Sequence, residues 1–184
     1  YEPLRRLTQV DNTFQQAIAA GERIFELLDT TSEIQDTPGA ISLDEIEGDV
    51  VFDGVHFRYG EGDQVLKDVS FHVAPGEAVA LVGPSGAGKT SIANLLCRFY
   101  DPQAGQVLVD GYDLCEVQVQ SLRQHIAVVL QDTFLFNTTV RHNLLYGKPK
   151  ASEKEMIDAA QAAYAHDFIQ ELPEGDDTEI GERG

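Results

Sequence analysis

An α/β fold is expected for this chain, and three stretches carry that expectation. "AVALV" (78–82) is short, continuous and apolar, as in a strand buried on both faces. A glycine-rich turn, "GPSGAGKT" (83–90), follows it, and "KTSIANLLCRFY" then places Ile92, Leu95, Leu96 and Phe99 at helical spacing. Upstream, "VVFDGVHFRY" and the alternation of Val69, Phe71 and Val73 read as half-buried antiparallel strands.

The other elements follow in order. Leu4, Leu7, Phe14, Ile18, Phe25 and Leu28 recur at the spacing of one helix face, with Asp11 and Gly21 interrupting it. "DTTSEIQDTPGAISLDEIEGD" is polar and rich in turn formers, a linker ending near Asp49. Pro75 to Glu77 make a turn before "AVALV", and Asp101–Pro102 stop the helix after the glycine loop. A strand around "QVLVDG" turns at Asp110–Gly111, a short polar helix lies near Ser121, and "HIAVVL" is a second buried strand ending at Gln131. Ser152 and Glu155 have capping-box spacing and open a helix through about Tyr164. "HDFIQEL" is a further short helix and "PEGDDTEIGERG" a loop.

With 184 residues the chain has room for one domain and an appendage. No apolar run approaches the roughly 18 residues that span a bilayer. It opens on Tyr1 with no basic-then-apolar signal segment, so an excerpt of a longer protein is expected. Thirty-one acidic residues against 13 Lys and Arg leave a formal net charge of −18. Such a surface repels nucleic-acid backbones and anionic headgroups, which argues against a nucleic-acid partner. It suits either an ordinary soluble acidic protein or one from a salty cytosol. An anionic ligand must then be held by local, directional donors. Cys97 and Cys115 have no metal-like spacing, Cys97 reads as a buried free thiol, and the five histidines form no ligand cluster.

The glycine turn supplies such donors. Gly83, Pro84, Ser85, Gly86, Ala87, Gly88, Lys89 and Thr90 fit G-x-x-x-x-G-K-[ST] in a strand–loop–helix context, the setting that gives this motif its meaning. Glycines let the backbone curl so that N–H groups from about Gly86 to Ser91 converge as an anion nest. The helix adds the positive end of its dipole. Lys89 is placed to reach β- and γ-phosphates, and the Thr90 hydroxyl to ligate Mg²⁺.

The remaining motifs choose among P-loop families. "FRYG" before the loop, "VVLQDTFLFNTTVRHNLLYG" after it, "TEIGERG" at the end and "GERIFELLD" near the start together resemble the nucleotide-binding domain of ATP-binding cassette transporters. The closest likeness is to exporters whose membrane domain precedes the ATPase on one polypeptide. The implied fold is a P-loop NTPase with an N-terminal antiparallel β subdomain, part of the parallel core sheet and the start of the helical subdomain. It implies that 1–29 extend the last transmembrane helix, 30–48 are a linker and 49–184 begin the nucleotide-binding domain. By position Tyr59 is implied to stack on adenine, although a core tyrosine is the alternative from residues alone. Gln131 is implied to contact Mg²⁺ and the attacking water, and "GERG" (181–184) to face the membrane domain. Gly-Lys-Thr-Ser for the commoner Gly-Lys-Ser-Thr, and Leu130 where many relatives have proline, are the two departures.

The resemblance further implies ATP and Mg²⁺ as cofactors, a second nucleotide-binding domain (identical or not) and a fused transmembrane domain as partners, and a place at the cytoplasmic face of a membrane. The family's Leu-Ser-Gly-Gly-Gln signature, acidic strand end, catalytic glutamate and switch histidine have no match here, so ATP binding without turnover is expected. The family's neighbouring strands are also unmatched, and "AVALV" is expected to expose apolar faces. A soluble P-loop NTPase or kinase is the alternative, with "TEIGERG" and the first helix then coincidental.

Overall fold

The computed structural model describes residues 1–131 and 134–181, with side chains of the first helix described from residue 14. The chain divides into two compact units, Tyr1–Ala127 and Val128–Gly184.

The first unit opens with α1 (Glu2–Leu28), which runs unbroken through Asp11 and Gly21. Phe14, Ile18, Phe25 and Leu28, the described part of its apolar face, are all exposed. Four antiparallel strands follow: β1 (Val50–Arg58), β2 (Gln64–Val73), β3 (Ala104–Val109) and β4 (Tyr112–Asp113), in the spatial order β2-β1-β3-β4. Val50 lies opposite Val73 on one side and Val109 on the other. An irregularity between Phe52 and Val55 shifts the register on β1, with Gly54 at φ 57°. It lets Phe52, Val55 and Phe57 all point inward although Phe52 and Val55 are an odd number of residues apart. Gly105 of β3 crosses this point so closely that a Cβ there would lie 2.2 Å from the Gly54 carbonyl oxygen.

Two helices cover the inner face. Leu95 of α2 (Lys89–Leu96) and Leu122 of α3 (Val119–Gln124) join Phe52, Val55, Phe57, Leu66 and Val107 in one core. Helix α2 meets β2 at Gly88, whose φ is 87° and where a Cβ would lie 2.6 Å from Leu66 Cδ2. Its C-terminus is a Schellman motif: Phe99 N–H donates to the Asn94 carbonyl and Arg98 N–H to that of Leu95. The left-handed position belongs to Arg98 (φ 49°) rather than the usual glycine. Its side chain is 2% exposed and donates to the carbonyls of Val117, Cys115 and Gln35 and to the Asp101 carboxylate. Arg123 from α3 donates to the Cys97 and Arg98 carbonyls and lies over the Phe99 ring. Burial first, then the Asp101 and Asp113 carboxylates, pushes the neighbouring Cys115 thiol up to about 12, so it stays neutral.

The second unit pairs β5 (Thr138–Thr139) antiparallel with β6 (Glu179–Ile180), inside what reads from sequence as a terminal loop. Around it stand α4 (Val140–Leu145), α5 (Glu153–Ala162) and α6 (His166–Gln170). The Ser152–Glu155 capping box is complete, with both reciprocal bonds made. The Lys148 ammonium, helped by the Ser152 bonds, pulls the Glu155 carboxyl down to about 2. Asn143 clasps Phe136, accepting from its N–H at 2.8 Å and donating to its carbonyl at 3.0 Å.

Two expected strands do not form. Ala78–Val82 and His125–Leu130 lie outside every ladder, and both sheets are wholly antiparallel. A strand of a parallel sheet takes all its hydrogen bonds from neighbouring strands, and among the described residues neither stretch has a ladder partner. Most of their apolar side chains are exposed, Val82 at 92% and Val129 at 96%, as expected for "AVALV" without paired neighbours, whereas Ile126 packs against the core.

Arg98→Ala is expected to lower stability by about 2–4 kcal/mol, because buried carbonyls lose their donors. Arg98→Gly should lose about 1 kcal/mol less, since glycine relieves the left-handed backbone. Urea denaturation followed by circular dichroism gives both values. An Arg98→Ala midpoint equal to wild type would refute the network's role. Gly88→Ala should cost about 1–3 kcal/mol from overpacking on Leu66. Part of that cost comes from the φ of 87°, so Gly88→Ala should still destabilise when added to Leu66→Ala, and a cost that vanishes in that background would contradict the backbone contribution.

Candidate nucleotide-binding site

The residues from Ala78 to Tyr100 include no acid, in a chain with 31 of them. Inside that stretch the turn at Pro84–Ala87 closes with Ala87 N–H on the Pro84 carbonyl, and Gly86 (φ 80°) and Gly88 (φ 87°) supply two left-handed positions. Those angles are what a curled nest requires of glycine. Lys89 folds back along the loop, its Nζ donating to the Gly83 carbonyl at 2.9 Å and the Pro84 carbonyl at 2.7 Å.

Helix α2 begins where the loop ends. It has no side-chain cap and no acid in its first turn. Its first ladder bond runs from Ile92 N–H to the Gly88 carbonyl, so the N–H groups of Lys89, Thr90 and Ser91 precede the ladder. Uncapped donors, the positive end of the dipole and one lysine cation fit a polyphosphate and would repel a cationic ligand. The Thr90 side chain is exposed beside them, whereas Ser91 is 4% exposed. Among the described residues, no group of three or more His, Cys, Asp or Glu is placed to hold a metal ion.

Tyr59 follows β1 directly and is 38% exposed. Its ring packs edge-on against Phe57 at 4.7 Å and Tyr100 at 5.0 Å. Its hydroxyl is 3.0 Å from Ser91 Oγ and accepts from Asn94 Nδ2 at 3.2 Å. The side chain is therefore neither a fully buried core tyrosine nor a free platform: it is tied to the helix that starts at the glycine loop. Sequence reasoning missed Asn94. The available signal was its position three residues after Ser91, on the same helix face.

The structure thus brings together Tyr59 and the whole run from Gly83 to Ser91. Gln131 belongs to the second unit, where it is exposed at a bend. Of "GERG", Gly181 is described and exposed, and residues 182–184 lie outside the described residues.

Comparison with known proteins identifies the setting. A family model described as "ABC transporter" matches residues 66–183. The ATP-dependent lipid A-core flippase of Syntrophus aciditrophicus is 49% identical over the whole chain, which covers 30% of that protein. A putative multidrug export ATP-binding/permease protein of Bacillus subtilis is 48% identical, again over the whole chain, which covers 32% of it. A solved bacterial Atm1-family ABC exporter with ATP bound superposes with a TM-score of 0.85 at 46% identity, over 99% of this chain and 32% of that one. The chain spans about a third of the length of these relatives. On the family match over 66–183, the chain belongs to the ABC transporter family.

Proposed function

We propose that this chain is the ATP-binding part of an ABC exporter that couples ATP binding and hydrolysis to movement of a solute across a membrane. The observation that carries the reading is the uncapped start of α2 behind a left-handed glycine loop, with Lys89 as its cation. The N–H groups from Gly86 to Ser91 hold the phosphates, with Gly83, Pro84, Ser85 and Ala87 shaping the loop. Lys89 meets the β- and γ-phosphates, and Tyr59 takes the adenine ring. Thr90 and Gln131 would hold Mg²⁺, which when bound neutralises charge between the β- and γ-phosphates. Gln131 also orients the attacking water.

Residues 1–29 are proposed as the extension of the last transmembrane helix, 30–48 as the linker and 49–184 as the start of the nucleotide-binding domain. The exposure of Phe14, Ile18, Phe25 and Leu28 on α1 supports the first assignment, because nothing among the described residues of the first unit covers them. The partners in this reading are a transmembrane domain on the same polypeptide and a second nucleotide-binding domain, identical or not. The site sits at the cytoplasmic face of the membrane.

Lys89→Ala in the full-length protein should abolish tight binding of a fluorescent ATP analogue, since a polyphosphate loses its side-chain cation. Unchanged affinity would place the phosphates elsewhere. The 184-residue chain by itself should bind Mg²⁺ATP yet release no phosphate, because no residue in it matches the catalytic glutamate, the switch histidine or the signature face. Lys89-dependent turnover at a rate typical of an intact transporter would overturn that.

Gln131→Ala should spare ATP affinity and lower kcat of transport-coupled hydrolysis with little change in KM, the signature of a group acting only in the transition state. A collapse of affinity with kcat preserved would remove Gln131 from the catalytic role.

A further inference from the structure

We infer that Asn94 is a positioning residue for nucleotide binding, holding the Tyr59 ring where the base must stack. The inference rests on the nucleotide-site reading above and adds a residue to it. Tyr59 leaves the sheet at the end of β1, beyond the last ladder pair of that strand, which is Arg58 with Gln64. Backbone pairing therefore does not orient its side chain. Two features do: the edge-on packing of Phe57 and Tyr100, and the hydroxyl bonds to Ser91 and Asn94 at 3.0 and 3.2 Å.

The direction of these bonds follows from the groups. The Asn94 amide nitrogen has only protons to offer, so the phenol oxygen accepts from it. The phenol is a far better proton donor than a serine hydroxyl, so its own proton goes to Ser91 Oγ. Ser91 then keeps its hydroxyl proton for another acceptor, and the chain Asn94–Tyr59–Ser91 is consistently polarised. Ser91 is buried and its backbone N–H belongs to the first turn of α2. The tyrosine proposed to hold the base is thereby fastened to the same turn that faces the phosphates. Asn94, one turn farther along, sets the angle of that fastening without touching either part of the nucleotide.

The test compares Asn94→Ala and Tyr59→Phe in the full-length protein, using ATP and inorganic tripolyphosphate as probes. Tyr59→Phe keeps the stacking ring and deletes only the hydroxyl. Each variant should raise the Kd and the KM for ATP about three- to tenfold, the scale of one neutral hydrogen bond, with kcat held. Affinity for tripolyphosphate, which has no base to stack, should stay within about twofold. The double variant should be no weaker than Tyr59→Phe alone, because deleting the hydroxyl already removes the Asn94 bond together with the bond to Ser91. Unchanged ATP affinity in Asn94→Ala overturns the inference. An equal loss for tripolyphosphate also overturns it, by showing damage to the phosphate loop itself. Should Asn94→Ala fail to fold, Asn94→Leu, which keeps the bulk and deletes the N–H donor, takes its place with the same expected losses. Failure of the underlying reading looks different: Lys89→Ala would then leave the binding of both probes intact.

Discussion

Arg98 is a charged side chain buried at the end of the helix that begins at the glycine loop, and much of the first unit is organised around it. Burying a guanidinium is costly unless its donors are used, and here they are shared among three backbone carbonyls and one carboxylate. The carbonyls come from the linker and from the segment after β4, which meet in one isolated parallel bridge, Ile41 with Val117, and join no longer ladder. The arginine thus gathers irregular chain that would otherwise carry unpaired acceptors in the interior. It also accepts a left-handed backbone that glycine would adopt more readily, so the position trades local strain for connectivity.

That arrangement fixes both ends of α2. At its start, Gly88 is pressed against Leu66 of β2 with no room for a side chain. At its end, Arg123 donates to the Cys97 and Arg98 carbonyls, and the Arg98 N–H donates to that of Leu95. Between them, Leu95 anchors the buried face while Ser91 and Asn94 reach the tyrosine hydroxyl. A short helix held at both ends and along two faces offers its first turn as a rigid set of donors, which is what an anion site on an acidic protein needs.

What could be read from the sequence was local. The capping box at Ser152 and Glu155, the helix after the glycine loop and the alternation along β2 all lie within a few residues, and each appears as read. "AVALV" and "HIAVVL" show the limit of such reading. A continuous apolar run encodes burial, but burial of a parallel strand is supplied by neighbours remote in sequence, and here none is present among the described residues. Conversely, β5 and β6 are two residues each, too short to show a period, and only their pairing across the unit reveals them. In the candidate site, the left-handed glycines and the helix start were legible because one motif holds them. The link from Tyr59 to Ser91 and Asn94 was not, because it spans 32 and 35 residues and depends on the sheet and helix having already packed. Arg98 was hidden for a related reason: in "CRFYDP" it looks like an ordinary solvent-facing charge at a helix end.

The bonds from Lys89 to the Gly83 and Pro84 carbonyls bear on what the loop will admit. A ligand that takes this lysine must offer more than two neutral oxygens already do. Another neutral acceptor of similar shape gains almost nothing by the exchange, whereas a charged oxygen roughly doubles the strength of each bond. The loop therefore discriminates by charge density before shape is tested. In a crowded mixture of solutes, a site of this kind stays closed to the many polar molecules that could fit it and opens to the few that carry a concentrated negative charge.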